Sequence, residues 1–213
     1  NRTAYGRLSQ LLSLGKQRTI KGKCQLFLED ILECPLFQSG RGQVLVILPP
    51  KVLGETFIDG TSLITNKIRK NLYLSVNYTY NGNDKRRLET LNAFAQSFCL
   101  PIVATNNVHS HSPQKKPLLD ILTCIRKNCT LDEAGFFLHP NAECHLKSGN
   151  KMARLFNNYP EAISNTMKIT NECHFSLDEL RYEYPVDTTS NGYTPQQKLT
   201  RFTWQGATER YPD

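Results

Sequence analysis

The sequence predicts an α/β fold built on a predominantly parallel sheet or barrel. Short apolar runs lie near residues 43–48, 71–78 and 101–105, and helical patterns with one apolar face occur at Asp84–Phe98 and Leu118–Arg126. Apolar strands that alternate with amphipathic helices are typical of parallel sheets, because the crossover helices cover the faces of the sheet. At 213 residues the chain is long enough to bury a core of this kind.

The amino-terminal third predicts one helix and two strands. Residues Arg7–Lys16 carry leucines at helical spacing, and Gly15 is expected to stop this helix. The stretch Gln43–Leu48 is a nearly continuous apolar run that ends at two prolines, which predicts a strand buried on both faces. Asn71–Tyr78 has leucine and valine at alternate positions, which predicts a second strand.

The central region repeats the pattern of helix and strand. Asp84–Phe98 places its apolar side chains on one helical face, and Pro101–Thr105 predicts the third strand. Leu118–Arg126 then has leucine and isoleucine at helical spacing, which predicts another amphipathic helix.

After about residue 130 the pattern changes to helices joined by short loops. Ser148 is expected to cap a helix that runs through Phe156, and Pro160 is expected to begin a helix that ends near Cys173. Residues 175–184 predict an extended segment, residues 185–192 a polar linker, and Thr194 the cap of a final helix. The helices after about residue 150 are expected to pack as a smaller appended layer.

Composition excludes several classes of protein. Hydrophobic residues make up 39% and charged residues 21%, which is ordinary globular usage. The longest apolar run, residues 44–48, is far shorter than the roughly 20 residues that span a bilayer, so we expect no membrane contact. The net charge of +7 gives a mild attraction to polyanions, with basic clusters at 67–70, 85–87 and 115–116. Such clusters are more often solvated helix faces than nucleic-acid contacts.

Cysteine usage indicates reduced thiols. The seven cysteines are an odd number and are spread through apolar, periodic segments. This distribution does not suit a disulfide framework, so we expect no disulfides and a cytoplasmic location. Because the sequence begins without an initiator Met or an export signal, it is expected to begin inside a longer gene product.

The densest polar group lies at residues 106–111, directly after the third predicted strand. Ligands gather at the carboxyl ends of parallel strands, which makes this loop the leading candidate for a site. The alternative is that these side chains only satisfy backbone groups of the loop. His109 and His111 are two residues apart, so on an extended segment both rings would point the same way, as metal ligands must. A catalytic metal needs about three protein ligands, however, and no other histidine lies nearby in the sequence.

Other chemistries have weaker support. Cysteine and histidine adjoin at residues 144–145 and 173–174, but their spacings fit no zinc knuckle. No glycine-rich phosphate loop is present, and the adjacent carboxylates at 132–133 and 178–179 suit helix starts better than a two-metal site. The residues alone therefore predict a scaffold with one suggestive loop.

Several segments resemble the bacterial C-family DNA polymerases of the polymerase III alpha-subunit type, within their PHP (polymerase and histidinol phosphatase) domain. The run Leu100–His109 resembles a PHP segment that normally ends in Asn-Asp-Val-His. Further matches follow in order at residues 117–126, 141–148 and 152–156. Residues 11–16 and 175–185 resemble the error-prone branch of this family in particular.

This resemblance implies a distorted (β/α)7 PHP-type barrel, incomplete here and followed by a helical segment that starts the polymerase module. It implies three regions: a PHP-like α/β barrel portion at residues 1–130, a helical remainder of the PHP region at 131–185, and a linker with the first helix of the polymerase module at 186–213. The family's first His-x-His motif would lie before Asn1, and the polymerase aspartates would lie after Asp213.

The resemblance also implies a degenerate metal site. The family's Asp-x-His pair falls on Asn107 and His109, and another ligand histidine falls on Thr79. A neutral amide is a weaker metal ligand than a carboxylate. His109 is therefore the candidate ligand, in a weak site with Asn107 and Thr79. We expect no catalytic residue and no cofactor in this chain, and magnesium only for the parent polymerase.

Two functions follow from the resemblance. The first is a non-catalytic, degenerate PHP scaffold in an error-prone DNA polymerase that acts in DNA repair and translesion synthesis, with DNA and other replication or repair proteins as partners. The alternative is a metal-dependent PHP phosphoesterase or proofreading exonuclease that uses His109. Asn107 and Thr79 favour the first. A stand-alone basic nucleic-acid-binding domain is disfavoured, because the basic residues are scattered and no aromatic stacking platform is evident.

Overall fold

The structure is a computed structural model that describes residues 1–33, 42–68, 70–181 and 192–211. The chain divides into two compact units, Asn1–Phe175 and Ser176–Asp213. The predicted region boundaries near residues 130 and 185 stay predictions. Within the described ranges, no helix is both long and apolar enough to cross a membrane.

Helices and three short strands make up the described secondary structure. The helices are α1 (Arg2–Gln17), α2 (Leu28–Leu32), α3 (Glu55–Lys67), α4 (Asp84–Ser97), α5 (Lys116–Lys127), α6 (Gly149–Leu155), α7 (Pro160–Glu172) and α8 (Pro195–Arg210). The strands are β1 (Leu45–Ile47), β2 (Leu72–Asn77) and β3 (Ile102–Thr105). Short 3-10 turns occur at Pro113–Lys115, Gly135–Phe137 and Leu177–Glu179.

The three strands form one parallel sheet in the order β1-β2-β3. Leu45 pairs with Leu72 across the first interface, and Leu74 pairs with Ile102 across the second. Helix α3 connects β1 to β2, and α4 connects β2 to β3. The prediction of a parallel α/β sheet from these three segments is confirmed, whereas closure into a barrel stays a prediction.

The main apolar cluster lies on one face of this sheet. Alternate residues of β2 and β3 point to the same face and pack against the buried face of α4. The buried members of this core are Leu72, Leu74, Val76, Leu88, Leu91, Ala95, Leu100, Ile102, Ala104, Phe156 and Ala162. Each large apolar side chain that is fully buried contributes about 1.5–3 kcal/mol to folding. This packing fixes the positions at which β2 and β3 end.

The prediction that the first strand is buried on both faces is wrong. Leu45 and Ile47 pack against the core, but Val46 on the opposite face is 39% exposed and Leu48 is 76% exposed. Among the described strands, β1 lies at an edge of the sheet, whereas β2 lies between two neighbours. An apolar run predicts burial, but the position of a strand in its sheet decides how many faces are covered.

Helix α7 is part of the sheet packing and not an appended layer as predicted. Ala162 and Asn165 of α7 are buried, and the Asn165 Nδ2 donates a hydrogen bond to the Ile102 carbonyl at 2.8 Å. Because the Pro101 carbonyl accepts from Leu74 of β2, the next carbonyl points to the other edge of β3. The side-chain amide of Asn165 therefore covers the free edge of β3, which is otherwise open among the described residues.

Gly15 does not stop α1 but lies within it. A side-chain carbon at Gly15 would stand 2.7 Å from both Cys24 Sγ and Leu26 Cδ2, which is closer than van der Waals contact allows. The Gln25 amide also donates to the Gly15 carbonyl at 2.9 Å. Glycine is required here because the segment after the helix folds back against its axis.

The predicted helix caps at the other end of the chain are confirmed. Ser148 caps α6, with its side chain accepting from the Lys151 amide at 3.4 Å. Thr194 begins α8 in a reciprocal capping box with Gln197. Residues 177–179 form a 3-10 turn and not the predicted extended segment. The predicted linker and the end of the predicted extended segment fall largely on residues 182–191, outside the described residues.

Candidate functional site

Polar side chains from three segments meet beyond the carboxyl ends of β2 and β3. The segments are the loop after β2, the loop after β3, and residues 139–147, which hydrogen-bond to both loops. We call this group the strand-end cluster. Its members are Thr79, Tyr80, Asp84, Asn106, Asn107, His109, His139, Asn141, Glu143, Cys144 and Lys147.

Asp84 organises the loop after β2. This residue is buried although it is the first residue of α4. Its carboxylate accepts from the backbone amides of Thr79 at 2.7 Å, Tyr80 at 3.2 Å and Asn81 at 3.1 Å. The Thr79 hydroxyl also donates to it, at 3.0 Å. A carboxylate at a helix start interacts favourably with the helix dipole, and its oxygens here are engaged by the loop itself.

Asn141 joins the loop after β2 to the third segment. Its side-chain amide donates to the Thr79 carbonyl at 2.8 Å and to the Tyr80 carbonyl at 3.4 Å. Its side-chain oxygen accepts from the Glu143 amide at 2.9 Å. Tyr80 has a positive φ of 56°, so its backbone is held in the left-handed region that non-glycine residues rarely adopt. These contacts stabilise that backbone conformation.

Asn106 and Lys147 form the centre of the cluster. The buried Asn106 amide donates to the carbonyls of Glu143, at 3.2 Å, and His145. Its side-chain oxygen accepts from the Lys147 ammonium at 3.2 Å. That ammonium also donates to the Glu143 carbonyl. The Lys147 side chain is fully buried, which is rare for lysine and requires oxygen partners of this kind.

Glu143 and Tyr80 complete the surroundings of this buried cation. The Glu143 carboxylate lies 3.2 Å from Lys147 Nζ in an ion pair whose angles fall outside those of a hydrogen bond. The same oxygen lies 3.9 Å from the exposed Lys151 ammonium. The Lys147 ammonium also lies 5.8 Å from the centre of the Tyr80 ring. Burial raises the pKa of Tyr80, and the negative charge of Glu143 raises it further.

Asn107 lies against Cys144. Its φ is 43°, in the left-handed region that asparagine tolerates better than most residues. Burial raises the pKa of the Cys144 thiol, while the neighbouring Lys147 and Asn107 act in the opposite direction. Asn107 therefore stands beside a thiol that burial holds in its neutral form at neutral pH.

His109 pairs with His139 and not with His111. The rings of His109 and His139 lie 4.7 Å apart between their centres. Burial lowers the pKa of His139, and the neighbouring His109 and Lys116 lower it further. His139 Nδ1 lies 3.9 Å from the Cys144 sulfur, and His109 and His111 are both exposed. The sequence predicted the wrong partner for His109, because the residues that meet it come from a segment about thirty positions away.

The chemistry of this donor set does not fit a catalytic divalent metal. A buried ammonium stands among the oxygen atoms at the centre of the cluster and already supplies the positive charge there. The Thr79 and Asn107 side chains are neutral, and the Thr79 hydroxyl is hydrogen-bonded to Asp84. Among the described residues, no group of three or more His, Cys, Asp or Glu side chains is arranged to hold a metal ion. Hard divalent ions need several anionic oxygen donors acting together.

Comparison with known proteins gives matches over the whole chain. The chain is 38% identical over 213 residues to an error-prone DNA polymerase of Caulobacter vibrioides and 40% identical over 222 residues to one of a Bradyrhizobium species. An error-prone DNA polymerase 1 of Agrobacterium fabrum is 38% identical over 217 residues. In all three comparisons the alignment covers 100% of this chain. The chain belongs to the error-prone DNA polymerase family.

The chain spans about a fifth of the length of these error-prone DNA polymerases, with 19%, 18% and 19% of each relative covered. No protein-family model matches the chain.

In this member of the error-prone DNA polymerase family, the structure brings together three of the residues singled out in the sequence and adds others, but His111 is not among them. Thr79, Asn107 and His109 all lie in the strand-end cluster, joined through residues 139–147. Sequence reasoning missed Asp84 and Lys147. The turn-forming run Asn81-Gly82-Asn83 before a helix start could have indicated the capping role of Asp84. For Lys147 no local pattern was available, because its burial also depends on Asn106, which lies on another segment.

One predicted basic cluster is engaged in loop packing. The guanidinium of Arg87, on α4, donates to the carbonyls of Lys51 at 2.7 Å and Pro50 at 2.8 Å. These carbonyls belong to the loop after β1, so Arg87 ties the end of β1 to α4. This role agrees with the structural interpretation of that cluster and leaves Arg87 less available to a phosphate.

Proposed function

We propose that this chain is a non-catalytic, degenerate PHP-type scaffold within an error-prone DNA polymerase that acts in DNA repair and translesion synthesis. The observation that carries the proposal is the buried Lys147 ammonium, which is held by Asn106 and Glu143 at the carboxyl ends of the strands. A protein cation in this place supports a scaffolding role, because it supplies internally the charge that a metal-dependent site takes from its ions.

The residues around Lys147 support the same proposal. Asp84 directs its oxygens to backbone amides of its own loop, and Asn141 ties that loop to residues 141–143. Hydrogen bonds of this kind rigidify the ends of β2 and β3 and engage the Asp84 carboxylate, which is then not available as a base. The cluster is thus suited to holding three segments in register.

The whole protein would be a soluble cytoplasmic enzyme with DNA as its partner, magnesium as the ion for nucleotidyl transfer, and other replication or repair proteins as possible contacts. Its relatives' names support the polymerase activity. The test is primer extension by the whole gene product on a template with an abasic site, with and without magnesium. Magnesium-dependent extension past the lesion is expected, and extension that always stops before the lesion would overturn the translesion role.

The competing function is a metal-dependent phosphoesterase or proofreading exonuclease. The observation in its favour is the His109–His139 pair beside Cys144, which places two imidazoles and a thiol close together. Against it stands the raised pKa of Cys144, which results mainly from burial. A thiol must lose its proton to bind zinc, and this environment opposes that loss.

Metal retention and hydrolysis distinguish the two functions. The purified chain is dialysed after loading with manganese or zinc, analysed for bound metal, and assayed with a chromogenic phosphodiester. We expect far less than one metal ion per chain and no hydrolysis above the buffer rate. The variant His109→Ala and the matched control His174→Ala, an exposed histidine beyond α7, should behave alike. Stoichiometric metal and hydrolysis that only His109→Ala abolishes would establish the phosphoesterase function instead.

A further inference from the structure

The carboxyl end of α5 holds two cysteines in one capping turn. The Cys129 amide donates to the Cys124 carbonyl at 3.1 Å, and the Asn128 amide donates to the Ile125 carbonyl at 3.3 Å. Asn128 between them has left-handed backbone angles, with φ 53° and ψ 49°. These features define a Schellman motif, in which the side chains at the two ends of the turn commonly contact each other. In this chain both of those side chains are thiols.

The two cysteines line the same cavity and can be reached from solvent. The Cys124 sulfur lies 3.8 Å from the carbonyl of Thr130, the residue that follows Cys129. Cys124 is buried, whereas Cys129 is partly exposed. Both line a cavity of about 480 Å³, together with Ile121 and Leu131. A molecule as small as a peroxide can therefore reach the pair without unfolding of the helix.

We propose that Cys124 and Cys129 form a reactive dithiol that a hydroperoxide converts into an intramolecular disulfide. This modification site lies apart from the strand-end cluster in sequence and is independent of the proposed scaffold function. A disulfide requires that the two Cβ atoms be adjacent, and the capping turn brings the two residues together by the backbone hydrogen bond from the Cys129 amide to the Cys124 carbonyl. Both thiols are free in the structure.

The chemistry is a two-electron oxidation in two steps. The thiolate of Cys129 attacks one oxygen of the peroxide, so that an S–O bond forms, the O–O bond breaks, and the leaving hydroxide takes up a proton to become water. The sulfur of Cys124 then attacks the sulfenic sulfur of Cys129. The S–S bond forms, the S–O bond breaks, and a second water leaves with the proton of the Cys124 thiol.

The burial of the two residues assigns these roles. Burial raises the pKa of Cys124, which keeps this thiol protonated and shielded from direct attack on peroxide. Cys129 is the more exposed of the two and reacts first. Cys124 then resolves the sulfenic acid, because it lies in the same capping turn and lines the same cavity as Cys129.

Peptide mapping after oxidation tests the proposal. The purified chain is treated with hydrogen peroxide, its remaining thiols are alkylated, and it is digested with trypsin, which cleaves after Arg126 and Lys127 between the two cysteines. We expect the peptide that contains Cys124 to remain joined to the peptide that contains Cys129, until a reductant is added. The second peptide also contains Cys144, so fragmentation must locate the bond. A bond to Cys144, or full alkylation of Cys124 and Cys129 after peroxide, would overturn the proposal.

Two substitutions at Asn128 test the role of the capping turn. Asn128→Gly retains the left-handed conformation and should form the disulfide at the rate of the unsubstituted chain. Asn128→Val disfavours that conformation and should slow disulfide formation about tenfold. Cys173→Ser, which removes an exposed cysteine at the end of α7, is the matched control and should leave the rate unchanged. Equal rates for the glycine and valine variants would contradict the proposed geometry.

A trapping experiment covers the case in which the valine variant does not fold. In Cys124→Ser the resolving thiol is absent, so the sulfenic acid should accumulate on Cys129 and react with dimedone. Cys129→Ser should give no dimedone adduct on Cys124, because that sulfur is shielded. An adduct on Cys124 with none on Cys129 would reverse the assigned roles and refute the mechanism.

Discussion

Replacement of Lys147 by methionine should be one of the most destabilising single substitutions in this chain. Methionine keeps most of the aliphatic stem but removes the ammonium, which is fully buried and donates to the Asn106 side chain and the Glu143 carbonyl. Removing one partner of a buried ion pair costs about 3–5 kcal/mol. The Glu143 side chain is 29% exposed and can regain some hydration, which places the expected loss at the lower end, about 3 kcal/mol.

The chain offers a matched control for this substitution. Lys151 approaches the same carboxylate at 3.9 Å but is 45% exposed, so Lys151→Met should change the free energy of unfolding by less than about 0.5 kcal/mol. Urea unfolding followed by circular dichroism, at neutral pH and fixed salt, gives both values. If Lys147→Met unfolds within about 0.5 kcal/mol of the unsubstituted chain, Lys147 does not hold the strand-end cluster together, and the main support for the scaffold proposal is lost.

Two further predictions concern the packing of the amino-terminal helix and the loss of folding stability at low pH. Gly15→Ala should destabilise by about 1–3 kcal/mol, because the new carbon meets Cys24 and Leu26, whereas Gly6→Ala on the same helix meets nothing and should stabilise by about 0.5–1 kcal/mol. Urea unfolding that gave both variants the same sign would contradict the close approach at Gly15. The pKa of Asp30 is lowered to about 2, mainly by its hydrogen bond from the Arg18 guanidinium and secondly by the one from the Phe27 amide. A lowered carboxyl pKa stabilises the fold above the unfolded value of about 4, and this contribution is lost as the pH falls towards 2. In Arg18→Gln the pKa of Asp30 should rise towards its ordinary value in an NMR titration, and an unchanged value would show that Arg18 is not its main cause.

The alternation of elements was readable from the sequence because it depends on local patterns. The three strands lie within a few residues of the apolar runs that predicted them, and Ser148 and Thr194 cap the helices they were expected to cap. Helix α3, at Glu55–Lys67, was missed. Its apolar positions are interrupted by glycine, threonine and asparagine, and Thr61 satisfies its hydroxyl by donating to the Phe57 carbonyl at 2.8 Å, which only the folded helix reveals.

The sequence also predicted the correct loop for the polar site, but it predicted the wrong partner for His109. Parallel topology brings the carboxyl ends of β2 and β3 to the same side, so residues 106–111 were expected to lie at a polar site, and they do. His111 was the expected partner of His109 because it is close in sequence. His139 is the partner in the structure, because residues 139–147 fold back across the strand ends.

What the sequence by itself determined was the class of fold, the caps of its later helices, its place among the error-prone DNA polymerases and the position of the candidate loop. These depend on periodicity, on turn chemistry and on short matched segments. Only the tertiary structure decided that Gly15 allows a close contact, that Val46 is exposed, and that Lys147 is buried. Each of these depends on which distant residues come within a few ångströms, and the buried Lys147 ammonium needs the Asn106 oxygen from another segment in addition to the oxygen atoms of Glu143.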